Sequence, residues 1–139
     1  MTAYIKRIGN LMLLTDDKRA VSSEELRMAL EESLDYLQLK GFICDLTSHG
    51  SKDIPSSIAL LSYELFEEAV EDVWMRLHTL YITLDCREVF KLTIAMDTPA
   101  EAISFTWKDK EIKEAGGKLA VRYEDETYYI TLSVGKEAL

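Results

Sequence analysis

The sequence predicts an α+β domain, a two-layer sandwich of helices against a sheet of about five strands. Three observations predict it. Two segments in the first half carry apolar residues at helical spacing and have matching start and stop signals. The second half alternates apolar and polar residues in runs separated by turns, as hairpins do. The whole chain is 139 residues, 47% hydrophobic and 29% charged, which suits one core in one domain.

Residues 3–14 place Ile5, Ile8, Leu11, Met12 and Leu14 on one stripe, with Lys6, Arg7 and Asn10 between them, and read as a helix. The charged stretch Thr15 to Arg19 reads as a turn. Ser22-Ser23-Glu24-Glu25 is a capping box: the Ser22 oxygen accepts a backbone N–H and Glu25 reaches back. The helix that follows aligns Leu26, Ala29, Leu30, Ser33, Leu34 and Leu37, and Gly41 stops it. Phe42 to Leu46 is a short strand, and Thr47 to Pro55 is a loop. Ser56 or Ser57 caps a helix over about 57–75, with Ile58, Leu61, Leu65, Ala69 and Val73 inward. Leu80 to Asp85 and Val89 to Met96 are strands around Cys86-Arg87-Glu88. Thr98-Pro99-Ala100-Glu101 starts a short helix to about Thr106, and Lys108 to Lys113 has no clear preference. Gly116-Gly117 is a turn. Lys118 to Tyr123 and Thr127 to Val134 form a hairpin around Glu124-Asp125-Glu126, and residues 135–139 are a loose tail.

The net charge of −9 disfavours nucleic acid and anionic lipid as partners. No apolar run reaches the length of a membrane span, and the first residues have no signal-peptide core, so a cytoplasmic location is expected. Cys44 and Cys86 each sit in an apolar, strand-like run with no CxxC or His/Cys cluster, and read as buried free thiols.

Glu64, Glu68 and Glu71 fall at i, i+4 and i+7 on one helix face, flanked by Glu67 and Asp72. Such carboxylates suit a hard cation or acid–base work, but their plainest role is a solvated face. His49 and His78 stand alone, without partners at metal-ligand spacing, so no metal site is expected. Ser22, Ser56 and Ser57 are caps, and Trp74 and Trp107 are core or interface aromatics. The sequence has neither a G-x-S-x-G elbow nor a G-x-x-x-x-G-K loop, and Gly116-Gly117 alone makes no phosphate cradle.

From about Ser23 to Val134 the order of elements resembles the GHKL (HATPase) ATP-binding domain of sensor histidine kinases. The resemblance rests on the acidic helix Tyr63 to Asp72, a strand pair ending at Met96-Asp97-Thr98-Pro99-Ala100, and the closing hairpin from Gly116-Gly117-Lys118-Leu119 to Thr131-Leu132-Ser133-Val134. It implies a mixed sheet of the Bergerat type. It also implies positions for the family's site. Glu64 matches the acid of the E-x-x-x-N box, and Glu68 stands where the magnesium-binding Asn belongs. Asp97 matches the Asp of D-x-G-x-G, which contacts adenine, but Pro99 replaces the first glycine; proline fixes φ and has no N–H to donate. Only eighteen residues separate Asp97 from Gly116, little room for the family's mobile lid. Residues 4–14 resemble the end of the dimerisation helix that precedes this domain in some Firmicute-type kinases, so residues 1–20 are expected as that helix and 21–139 as the sandwich domain.

The expected function is a degenerate histidine-kinase-type ATPase domain that signals through protein contact, without ATP or magnesium. Its expected partner is another protein or a second copy, paired through residues 3–14. The chain would be a stand-alone relative or the cytoplasmic part of a membrane-bound sensor. Two alternatives stand beside it. One is an active kinase using Glu64 as base, Glu68 on magnesium and Asp97 on adenine. The other is an unrelated α+β partner-binding module.

Overall fold

The computed structural model describes residues 20–73, 78–98 and 109–135. The expected helices at 3–14 and from Pro99 to about Thr106, both tryptophans and residues 136–139 lie outside the described residues. The elements in chain order are β1 (Ala20–Ser22), α1 (Ser23–Leu39), β2 (Ile43–His49), β3 (Asp53–Pro55), α2 (Ser56–Val73), β4 (Thr79–Asp85), β5 (Phe90–Asp97), α3 (Asp109–Glu114), β6 (Gly117–Glu124) and β7 (Thr127–Val134).

Helix α1 begins and ends where its local chemistry directs. The Ser22 side chain accepts the Glu24 N–H at 3.2 Å. At the other end Gly41 takes φ +97°, its N–H bonds the Gln38 carbonyl, and the Phe42 N–H reaches back to Leu37. This is the Schellman pattern, and Phe42 packs on the core as the pattern requires. Leu26, Leu30, Ser33, Leu34 and Leu37 are buried along one face. Arg27 bridges Glu24 and Glu31 on the solvent side, at 2.8 and 2.7 Å.

The main sheet has five strands in the order β2-β4-β5-β7-β6. β2 pairs parallel with β4, and the remaining pairs are antiparallel, so the sheet is mixed. The parallel pair is made possible by α2, which crosses between β2 and β4. Strict alternation sorts the two faces. Leu80, Ile82 and Leu84, then Phe90, Leu92, Ile94 and Met96, then Tyr128, Ile130, Leu132 and Val134 are buried together with the apolar faces of α1 and α2. On the outer face the register aligns Thr47, Thr83, Thr93 and Thr131 in a row across four strands. Threonine suits such a face, being β-branched yet polar.

The structure departs from the sequence expectations in places. β1 and β3 form a separate antiparallel pair, β1 where the sequence gives only the Ser22 cap and β3 within the expected loop Thr47 to Pro55. Each strand has three residues and contributes one core side chain, Val21 and Ile54, at 2% and 0% exposure. That is too short for any alternation to show in the sequence. β2 runs on to His49, because its parallel pairing with β4 continues to Asp85. The ambiguous segment after residue 108 is the helix α3, whose Ile112 is buried.

Candidate functional site

Helix α2 carries two of the three residues that the resemblance singles out. Its core-facing arc is wide: Ile58, Ala59, Leu61, Ser62, Tyr63, Leu65, Phe66, Ala69 and Val70 are all buried. What remains outside is a narrow acidic strip. Glu64 is half-buried, whereas Glu68 and Glu71 are exposed.

Glu67 does not belong to that strip. It is 9% exposed and turned inward toward α1. The Ser33 hydroxyl donates to Glu67 Oε1 at 3.3 Å and also lies 2.8 Å from the Tyr63 hydroxyl. The Tyr63 hydroxyl bonds the Glu67 carboxyl as well, so both hydroxyls serve it. The chain Tyr63–Ser33–Glu67 thus satisfies polar groups inside the helix layer. Burial pushes the Glu67 carboxyl above the usual range, and the hydroxyl bonds only partly offset this. Folding therefore favours the protonated acid, and Glu67 opposes folding once pH rises past the ordinary value of 4.5. Sequence reading misses this residue because it stands among four other carboxylates on the same helix. The available signal is Ser33, a polar residue within an otherwise apolar helical stripe.

Asp97 ends β5. The register assigns it to the outer-face row Ile43, Thr79, Asp97, Thr127 and Glu124, while α2 packs against the inner face. The structure therefore brings Glu64 and Glu68 together on one helix and leaves Asp97 in a different row. The backbone at Asp97 is fully engaged with its own chain. Its carbonyl accepts the His78 N–H at 2.9 Å, and the next N–H, of Thr98, bonds the Glu126 carbonyl at 3.0 Å. The Thr98 carbonyl accepts the Tyr123 hydroxyl at 3.4 Å, and Thr98 is fully buried.

The turn that receives Thr98 is itself unusual. Asp125 and Glu126 both have left-handed backbone, φ 52° and 62°, the two-residue hairpin geometry that usually recruits Asn and Gly. Tyr123 stacks on Tyr128 with ring centroids 4.4 Å apart, which fixes the phenol that reaches Thr98.

The opposite end of the same strands carries both charges. Asp85, Arg87, Glu88, Val89 and Lys91 line an open depression of about 390 Å³. Arg87 holds Asp85 by two guanidinium contacts, at 3.1 and 2.9 Å, and by its backbone N–H at 3.1 Å. These bonds lower the Asp85 carboxyl from 3.8 to about 2. Gly50 sits against Arg87 at φ +72°, where a Cβ would lie 3.0 Å from the Arg87 side chain and 3.2 Å from its backbone. Cys44 and Cys86 are buried and free, as the sequence predicts, and burial pushes both thiols up. Among the described residues no group of three His, Cys, Asp or Glu side chains could hold a metal ion. No described helix is long and apolar enough to cross a membrane.

The sequence matches no protein-family profile and no curated protein. Its fold does have solved counterparts. The histidine kinase domain of the Erythrobacter litoralis EL346 blue-light activated histidine kinase superposes with a TM-score of 0.67 at 12% identity, over 96% of this chain and 78% of that one. The catalytic domain of the histidine kinase ThkA superposes at 0.65 and 11% identity, over 88% of this chain and all of that domain. The Acinetobacter baumannii histidine kinase AdeS gives 0.56 at 12% identity, over 95% and 75%. Identity this low carries the fold and nothing finer. With the mixed five-stranded sheet backed by helices on one face, the chain has the α+β fold of histidine kinase catalytic domains, as its element order predicts.

Proposed function

We propose that this chain is a degenerate histidine-kinase-type ATPase domain, a pseudoenzyme that works in signal transduction, of the two-component kind, through protein contact. The observation that carries this reading is the engaged backbone after Asp97. Phosphate and adenine sites in glycine-rich loops depend on free N–H groups and close backbone approach. Here the Thr98 N–H is committed to Glu126, its carbonyl to Tyr123, and the next residue is a proline, which has no N–H.

The side chains support the same reading. A magnesium triphosphate needs cations or neutral donors around its oxygens, because phosphoryl transfer depends on positioning and charge neutralisation. Glu64 and Glu68 bring carboxylates instead, and Glu124, Asp125 and Glu126 lie beside the Asp97 end. These residues do not fit the nucleotide, and no catalytic step is assigned to Glu64. A domain that keeps this fold without its ligand chemistry retains surfaces as its means of acting. Cytoplasmic placement follows from the same reading.

The test is calorimetric titration with a non-hydrolysable ATP analogue and magnesium. The expected outcome is no heat of binding at millimolar nucleotide. Binding at micromolar affinity would overturn the proposal and would justify substituting Glu64, Glu68 and Asp97.

A further inference from the structure

We infer that the outer edge of β6 pairs with β6 of a second copy of this chain, antiparallel and centred on Val121, joining two five-stranded sheets into one. The strand order makes β2 and β6 the two edges of the main sheet. The β2 edge is closed by its own chain: Gln38 Nε2 donates to the Cys44 carbonyl at 2.8 Å, and Asp45 Oδ1 accepts the Leu46 N–H at 2.8 Å. Such caps are how sheets block pairing with other chains.

The β6 edge is built differently. Asp125 and Glu126 form a two-residue turn, so Glu124 and Thr127 are the closing hydrogen-bonded pair of the hairpin. The N–H and C=O groups of Glu124, Arg122, Ala120 and Lys118 are then spent on β7, and those of Leu119, Val121 and Tyr123 face outward. Among the described residues no group takes them. The side chains of these three residues lie on the inner face and are only half-buried. The same face of β7 next door, at Tyr128, Ile130 and Leu132, is between 0% and 3% exposed. Among the described residues the apolar layer therefore stops short at this edge.

Charge selects the partner and the register. A two-fold axis through Val121 places Val121 against its copy, Leu119 against the copy's Tyr123, and Lys118 against the copy's Glu124, the last two pairs each occurring twice. All three outward-facing residues meet outward-facing residues, which gives about six inter-chain backbone bonds. The half-buried apolar row becomes continuous across the joint. Centring on Ala120 instead would set Lys118 against Arg122, and centring on Arg122 would set that side chain against itself. Centring on Tyr123 would oppose Arg122 and Glu124 but carry Val121 and Leu119 past the strand onto Asp125 and Thr127, so only the Val121 register pairs the three outward-facing residues among themselves while setting opposite, and no like, charges across the joint. Arg122 then faces the copy's Ala120 and keeps its own contacts, Glu124 at 3.5 Å and the Tyr129 ring at 4.5 Å. This surface is independent of nucleotide binding and of residues 3–14.

Sedimentation equilibrium on the full chain tests it, at about 0.15 M salt to screen the repulsion between chains of net charge −9. Wild type should approach twice 15.9 kDa as concentration rises. Lys118→Glu and Glu124→Lys should each weaken the dimer roughly tenfold or more, because each gives both positions one sign. Mixing the two single variants should restore a heterodimer, and the double variant K118E/E124K should restore the homodimer. Circular dichroism checks that each variant keeps its fold. A wild-type mass of 15.9 kDa up to about 0.5 mM would overturn the inference, as would a dimer that both single variants leave unchanged.

Discussion

At the Asp97 end of β5 the backbone is tied into the neighbouring hairpin turn, and the described side chains around it include Asp97, Glu124, Asp125 and Glu126. At the Phe90 end, about 23 Å along the same strand, Lys52, Arg87, Lys91 and Lys118 stand among Asp85 and Glu88 instead. The Asp97 end is where the resemblance expects an anionic nucleotide, and it is acidic; the far end carries both charges. A net charge of −9 hides this difference, because it sums over both ends. The sheet and helices match the fold of histidine kinase catalytic domains, and the end where the resemblance expects the ligand is lined with carboxylates.

The largest expected effect comes from the aromatic anchor of the acidic end. Tyr128 is 2% exposed and stacks on Tyr123, so Tyr128→Ala should cost about 3–5 kcal/mol in denaturant unfolding. A loss under 1 kcal/mol would mean this end is not packed as described. At the Phe90 end, Gly50→Ala combines a left-handed φ of +72° with a close approach to Arg87. It should destabilise by about 2 kcal/mol, read from the same unfolding curves. Tyr123→Phe removes one hydroxyl bond to the Thr98 carbonyl and should cost about 1 kcal/mol. If that variant gained nucleotide affinity, the engaged backbone would be what excludes the ligand, and the contrast between the ends would sharpen.

The smallest effect concerns pH at the Phe90 end. The Asp85 carboxyl is held at about 2 in the folded chain against an ordinary 3.8, chiefly by the Arg87 side chain. A depressed carboxyl contributes stability that is present above 3.8 and lost as pH falls through about 2. Asp85→Asn should therefore lower stability slightly at neutral pH and match wild type at the acid limit. Thermal melts across that window check the sign.

How much of this was legible differs from element to element. The Schellman stop at Gly41, the cap at Ser22 and the closing hairpin all follow from local residue chemistry, and each appears where the sequence puts it. Four of the main strands are legible because each alternates for long enough to show its period, whereas the end of β2, Thr47 to His49, reads as loop. Glu64, Glu68 and Asp97 were found as positions, but their spatial relation was not, because it depends on which face of the sheet each side belongs to.

Local periodicity, turn residues and element order thus determined the fold class, since those signals act over a few residues and point to one way of burying the apolar faces. Tertiary structure alone decided the rest. The β1–β3 pair exists because Val21 and Ile54 meet across more than thirty intervening residues. Glu67 became a buried acid because α1 brings Ser33 to it. The backbone after Asp97 was closed by Glu126 and Tyr123, which lie more than twenty residues away in the chain. The physical reason is common to all three: a polar group's cost depends on the partners it finds after folding, and a one-dimensional pattern does not specify those partners.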